Sequence, residues 1–272
     1  MISAHRYFNR PADAISAEEE AEFFSGIRLP NRTFKKTAPG RLRELDAILI
    51  RLAKARGWLA PAVLDLGVSS GMTTRELMRA MREAGLKADV LGTDIAIGAE
   101  IVDLRPGMRA LVDARGNPLQ YELLGIGLRA WNRRLDTLTG YGLLTRVMRR
   151  LATNLPKTGR QAVTLTSRRA GAGDAMPEIV EDDLALRNPS LEGRFDIVRA
   201  ANILNRGYFE PDKLRAMVDN IKSYAGGPGA LIAVLRTLED GVNNGTIFEL
   251  APDRSLVALE RVGKGSEIED IL

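Results

Sequence analysis

Val63-Leu64-Asp65-Leu66-Gly67-Val68-Ser69-Ser70-Gly71-Met72-Thr73-Thr74 is the stretch whose reading decides the fold. A short apolar run ends in an acid, two glycines bracket a tight turn, and a helical pattern follows with Leu77, Met78 and Met81 three or four residues apart. The stretch reads as strand, Gly-rich turn, helix. Glycines in such a turn let a ligand approach bare backbone, and the helix N-terminus aimed at it favours anionic groups. Thr73 or Thr74 is placed to cap the helix, and Glu76 falls in its first turn. The same pattern also serves as a plain βα turn with no ligand.

Two familiar readings fail here. A dinucleotide site requires G-x-G-x-x-G straight after the strand, whereas this turn has Gly67-x-x-x-Gly71. No Tyr-x-x-x-Lys pair supports a nicotinamide-dependent reductase either. Ser69 fits the G-x-S-x-G elbow of hydrolases, but that triad needs a histidine after the serine, and the single histidine is His5. The acid is then left to explain. Asp65, two residues before the first glycine, resembles motif I of the class I S-adenosylmethionine (SAM) dependent methyltransferases: apolar-apolar-Asp/Glu-x-Gly-x-Gly-x-Gly. Ser69 replaces the middle glycine.

Composition narrows the chemistry. With 272 residues, 45% apolar and 27% charged, the chain suits one large soluble domain or two small ones. Cysteine is absent, which removes disulfides, thiolate metal sites, cysteine nucleophiles and the iron–sulfur cluster of radical SAM enzymes. One histidine and no cysteine make no zinc site, so no metal is expected. No run of 18 apolar residues occurs and residues 1–10 lack an apolar signal core, so the expected location is the cytoplasm. The net charge of +4 is uneven: residues 104–170 hold 13 Arg/Lys against 3 Asp/Glu, a local +10. Such a segment suits an anionic partner or surface, or is simply a solvated arginine-rich face.

Residues 1–40 read as an N-terminal helical cap or lid. Ser16-Ala-Glu-Glu19 fits a capping box, with a short helix running through Phe23 and Phe24. Arg28 to Lys36 is an irregular basic segment with one aromatic, Phe34, which folds over a site or packs as a surface connection. Arg41 to Arg56 is a helix with an apolar stripe of Leu42, Leu45, Ile48, Leu49 and Leu52. A second strand, Ala88 to Asp94, again ends in an acid. Arg109–Asp113 and Leu119–Leu123 form a hairpin or extended turn. Leu128, Trp131, Leu135 and Leu138 then run at helical spacing, and a second, basic helix covers 143–151 with Arg146, Arg149 and Arg150. Residues 104–176 are too long for one crossover and read as a helical insertion. Strands follow at Glu178–Leu184, Phe195–Ala201 and Ala230–Leu235, a helix at Lys213–Tyr224, and a terminal hairpin at 246–250 and 256–262. The short link after Leu235 leaves little room for a crossover helix.

The resemblance covers roughly 41–103 and 177–262. It implies an α/β fold: a Rossmann-like, doubly wound, mostly parallel sheet with an antiparallel last strand, plus the cap and the helical insertion. The methyltransferase domain is then 41–272. SAM is implied as cofactor, over the turn of Asp65, Gly67, Ser69, Ser70 and Gly71. Asp94, with Ile95 after it, matches the acid that binds the ribose hydroxyls, and Asp183–Leu184 match the positions bordering the adenine. Phe195-Asp196-Ile-Val-Arg199-Ala-Ala-Asn202-Ile-Leu-Asn205-Arg-Gly-Tyr208-Phe209 resembles motif IV, which puts Asn202 and Tyr208 near the transferred methyl group as candidate catalytic residues and makes Asn202 a candidate cofactor-binding residue as well. The Asn-Pro-Pro-Tyr signature of DNA-adenine and glutamine methylases is missing. The function implied is methyl transfer to a small-molecule or lipid-like acceptor, positioned by the cap and the basic insertion. The alternatives are a protein methyltransferase resembling the chemotaxis-receptor enzymes, or a non-catalytic SAM-binding protein. Helix 143–151 is a candidate surface for an anionic membrane or a homodimer. Trp131 and Tyr141 lie in the basic segment, but no recognised RNA module accompanies them, which argues against nucleic acid.

Overall fold

A computed structural model describes residues 1–30, 33–35, 38–133, 136, 140–153, 158–169, 176–238 and 240–271. In chain order the elements are α1 (Ala4–Asn9), α2 (Ala17–Gly26), α3 (Arg43–Ala55), β1 (Ala62–Leu66), α4 (Met72–Glu83) and β2 (Asp89–Asp94). They continue with β3 (Gly98–Arg105), β4 (Met108–Asp113), β5 (Pro118–Leu123), β6 (Ile126–Arg129), α5 (Tyr141–Thr153), β7 (Arg160–Thr164) and β8 (Glu178–Glu181). The chain ends with β9 (Ile197–Ala201), α6 (Pro211–Tyr224), β10 (Leu231–Thr237), β11 (Asn243–Leu250) and β12 (Leu256–Val262). These elements fall into two units, Met1–Thr37 with Ala96–Gly173, and Ala38–Ile95 with Asp174–Leu272.

The second unit is built on a seven-stranded sheet of order β12-β11-β10-β9-β1-β2-β8. The pairs β8/β2, β2/β1, β1/β9 and β9/β10 are parallel. Every residue of β9 and the first five of β10 are buried, as in strands covered on both faces. On one face Leu64, Val198, Ile232 and Val234 pack with Leu214, Val218 and Ile221 of α6. On the other, Val63, Ile197, Leu231 and Ala233 pack with Leu45 and Leu49 of α3 and Leu77 and Met81 of α4. Helices on both faces of a parallel sheet make this a Rossmann-like, doubly wound unit. The chain runs outward from β1 to β2 and β8, then returns to the other side of β1 as β9. The strand order therefore reverses between β1 and β9.

The terminal hairpin differs in one detail from the sequence expectation. Both of its ladders are antiparallel, but the reversed strand is the penultimate one. β12 turns back again and so runs in the direction of the parallel five. No described helix separates β10 from β11, and the Leu238 N–H donates to the Val242 carbonyl across the link.

The first unit corrects the expected helical insertion. Five antiparallel strands in the order β6-β5-β4-β3-β7 make it mainly a sheet, with α5 its longest helix among the described residues. Its later segment is Ala96–Gly173. Val102, Ala110, Val112 and Tyr121 from three of the strands pack with Met148 and Ala152 of α5. Leu128 lies on β6 rather than on a helix. Its spacing to Trp131 runs across the end of a four-residue strand, where a period of three carries no helical meaning. Leu135 and Leu138 of that pattern, and Arg32 and Lys36 of the basic segment, lie outside the described residues. α5 contains the expected basic helix; Leu143 and Val147 are exposed and Met148 is buried.

Residues 1–37 belong to this same unit. The Ala4 N–H donates to Gln120 Oε1 on β5 at 2.7 Å, and Gln120 Nε2 donates to the Ile2 carbonyl at 3.1 Å. The capping box of α2 forms as its sequence predicts, with Ser16 Oγ accepting from the Glu19 N–H. Glu20, one residue on, is fully buried and accepts from Tyr7 Oη at 2.6 Å, Ser167 Oγ at 2.9 Å and the Arg168 N–H at 3.1 Å. Among the described residues no helix is long and apolar enough to cross a membrane, and no cluster of His, Asp and Glu could hold a metal.

Candidate functional site

The turn after β1 lies where the strand order reverses, the place where open parallel sheets bind ligands outside the strand ends. Gly67, Ser69 and Gly71 have φ of 68°, 59° and 76°. A Cβ on Gly67 would lie 2.2 Å from Cγ2 of Ile203, so the first glycine admits a side chain of its own molecule. Ser69 holds a left-handed conformation that costs a non-glycine residue of order 1–3 kcal/mol. The turn is fixed from the neighbouring strand: the Val68 N–H donates to the Thr93 carbonyl at 2.9 Å, and the Ser69 N–H donates to Asp94 Oδ2 at 2.7 Å. Asp94 is thus the acid that shapes the turn, and it is buried at the end of β2 with Ile95 half-buried behind it.

Asp65 plays a different part. It is the register partner of Arg199 on β9. Arg199 Nε donates to Asp65 Oδ1 at 2.9 Å and Nη2 to Oδ2 at 2.6 Å, while Nη1 reaches Asp46 Oδ1 on α3 at 2.6 Å. Thr74 Oγ1, in the first turn of α4, donates to Asp65 Oδ2 at 2.6 Å. The guanidinium is fully buried. Burial works against its charge, but the Asp65 and Asp46 carboxylates outweigh it and drive its pKa upward. Burial also pushes Asp46 up, to about 6, against the opposing pull of Arg199. Arg199 thereby ties β1, β9 and α3 together, and Thr74 joins α4 to the same Asp65 carboxylate.

Three polar atoms near this edge are buried with no hydrogen-bond partner among the described residues: Ser70 Oγ, Arg41 Nε and Asp182 Oδ2. Ser70 is the turn residue next to Gly71. Arg41 precedes α3; its carbonyl accepts from Asn243 Nδ2 at 2.7 Å, and the Gly40 N–H donates to both carboxylate oxygens of Glu76 at 2.9 and 3.0 Å. Burial and the nearby Arg199 lower the Arg41 pKa. Asp182 follows β8, and its N–H donates to the Asp94 carbonyl at 3.0 Å.

The remaining predicted residues spread out along the same region. Asp183 Oδ1 accepts from the Ala185 N–H at 3.0 Å, a local turn bond, and Leu184 packs into the core beside α6. Asn202, at the end of β9, has φ 62°; its Oδ1 accepts from the Thr237 N–H of β10 at 2.7 Å. Tyr208 is half exposed in the loop before α6. Sequence reasoning missed Arg41, Asp46, Asp182 and Arg199. Two of them left a trace: Asp46 interrupts the apolar stripe of α3, and Arg199 interrupts an otherwise apolar strand. A charge inside a run that will be buried on both sides must find a partner.

No family model matches the chain, and no curated protein matches it by sequence. Solved structures similar to it include the N-methyltransferase NodS from Bradyrhizobium japonicum in complex with S-adenosyl-L-homocysteine, at 14% identity and a TM-score of 0.33 over 72% of this chain and 65% of that one. The CMeT domain of the citrinin polyketide synthase gives 12% and 0.37 over 73% and 35%. A putative SAM-dependent methyltransferase from Methanococcus maripaludis gives 9% and 0.33 over 72% and 57%. The chain thus spans less than two thirds of the length of each. Likeness at these TM-scores carries no weight for activity or substrate.

Proposed function

We propose that this chain binds SAM at the turn after β1 and transfers its methyl group to a small-molecule or lipid-like acceptor. One observation carries the reading. Buried, unpartnered polar groups, Ser70 Oγ and Arg41 Nε, accompany a Gly-rich turn at the reversal point of a parallel sheet. A buried polar atom left without a partner costs free energy, so such a set fits a ligand that supplies the missing partners. The donor set suits SAM: a guanidinium for the amino-acid carboxylate, a hydroxyl in the turn, and acids at the ends of β2 and β8 for the ribose and adenine.

In this reading Arg41 holds the carboxylate, Ser70 and the turn backbone face the amino-acid end, and Asp94 takes a ribose hydroxyl. Asp182, Asp183 and Leu184 border the base. SAM, when bound, supplies an activated methyl group on a sulfonium. The chain then has to align the acceptor and exclude water, which by itself accounts for a large part of such a barrier. Asn202, bridging β9 and β10, stiffens the strand end nearest the candidate methyl position. Asp65 acts structurally, with both oxygens engaged by Arg199 and Thr74. Acceptor recognition is assigned to the unit of residues 1–37 and 96–173, whose basic segment suits an anionic molecule.

Titration calorimetry with S-adenosylhomocysteine, and with NADH and NADPH as controls, tests the cofactor. Micromolar binding of the first alone supports the reading; folded protein that binds none of the three overturns it. Methyl-labelled SAM with cell extracts then separates an enzyme from a non-catalytic binder.

A further inference from the structure

A second group of unsatisfied donors lies in the first unit. Arg129 ends β6, and its guanidinium sits 4.8 Å from the ring centres of both Trp131 and Tyr141. Tyr141 Oη donates to the Arg129 carbonyl at 3.0 Å, and Asp136 takes Nη2 at 3.2 Å and the Arg133 N–H at 2.6 Å. Arg129 Nη1 and Trp131 Nε1 are buried with no hydrogen-bond partner among the described residues. Two further guanidinium groups, Arg28 and Arg133, each lie 5.6 Å from the Trp131 ring, and Phe34 meets that ring edge-on at 5.2 Å.

Three guanidinium groups lie around one indole, and Asp136 takes Nη2 of Arg129 but not Nη1. Nη1 of an arginine and Nε1 of a tryptophan can only donate, so both call for an acceptor. Leaving such donors dry and unpaired is uncommon in a folded protein, and unpartnered donors on a guanidinium and the indole beside it mark where a negative oxygen belongs. The aromatic faces of Trp131, Tyr141 and Phe34 fix the arginine planes and offer an apolar flank to whatever carries that oxygen.

We propose that Arg129 and Trp131 form an oxyanion-binding site that takes the carboxylate or phosphate group of a small organic molecule. Arg28 and Arg133 add charge, and Trp131 supplies both a donor and a stacking surface. The site stands on its own geometry, whether or not the chain transfers methyl groups.

The chain has two tryptophans, so Trp58→Phe leaves Trp131 as the sole indole signal. In 15N-labelled full-length protein, the Trp131 indole N–H resonance is followed during titration with sodium acetate and, separately, with sodium phosphate, against sodium chloride at matched ionic strength. The expected result is a saturable downfield shift with at least one of the two, weakened at least tenfold by Arg129→Gln. Saturation by acetate alone identifies a carboxylate ligand; saturation by phosphate alone identifies a phosphate. Should Arg129→Gln fail to fold, Arg129→Lys, which keeps the charge and loses the fork, gives the same comparison. No saturable shift beyond chloride with either probe, or one that both Arg129 variants leave unchanged, overturns the proposal.

Discussion

Asp65 and Arg199 are register partners on adjacent parallel strands, and the guanidinium closes on the carboxylate through two hydrogen bonds of 2.9 and 2.6 Å. The acid that makes the β1 turn look like a ligand site is therefore satisfied from within the sheet. Its neighbour Asp94, and not Asp65, holds the turn in shape.

Removing Arg199 leaves two buried carboxylates, Asp46 and Asp65, with no counter-charge. Breaking a buried pair in this way costs about 3–5 kcal/mol. Arg199→Met is expected to lower stability by that amount in urea denaturation, and adding Asp46→Asn and Asp65→Asn to it is expected to restore a good part. A loss below ~1 kcal/mol would show that the network contributes little.

The raised pKa of Asp46 gives a pH dependence of definite sign. Its carboxyl titrates near 6 in the folded chain against 3.8 when free, so the native state holds this proton more tightly than the unfolded state. Its contribution to stability is then full below the free pKa and is lost as pH rises through about 6. The effect is at most ~3 kcal/mol. Chemical denaturation between pH 4 and 7 is expected to show this decline in the wild type, superimposed on other groups, and a flatter curve for Asp46→Asn. Parallel curves for the two proteins would place the Asp46 pKa near its free value.

Arg41 is assigned to the carboxylate of the cofactor's amino-acid end. Arg41→Ala is expected to weaken S-adenosylhomocysteine about tenfold, roughly 1.4 kcal/mol. Adenosine, which lacks that carboxylate, is expected to bind both proteins within about twofold. Calorimetry on the two ligands reads this directly, and an equal loss for both would move Arg41 to another role.

Asp94→Ala is expected to reduce S-adenosylhomocysteine affinity at least tenfold with the fold intact by circular dichroism. Asp94 also anchors the Ser69 N–H, so Asp94→Asn, which keeps an acceptor for that bond, separates loss of the ribose contact from loosening of the turn. Unchanged affinity in both variants would remove Asp94 from the site.

At Gly67 the added methyl of Gly67→Ala meets Ile203 Cγ2 at 2.2 Å on a backbone with φ 68°. Strain and overpacking together are expected to cost about 2–4 kcal/mol. Ile203→Ala in the same chain removes the clash and leaves the backbone strain, so partial recovery of the melting temperature is expected. Full recovery would assign the whole effect to packing.

Local signals carried the βα framework. The apolar period, the positive-φ demand at Gly67 and Gly71 and the capping box at Ser16–Glu19 are all decided within a few residues, so the sequence by itself determined the strand–turn–helix, α2, α3, α5, α6 and the terminal hairpin. Only the tertiary structure decided the rest. Arg199 meets Asp65 across 134 residues of chain, and no period encodes which strand will lie beside which. For the same reason the first 37 residues reveal their place only where Gln120 binds Ala4, and the insertion reveals its sheet only where five short strands pair. A strand's partners, and the fate of a charge buried between them, depend on long-range packing and desolvation, which are properties of the assembled fold.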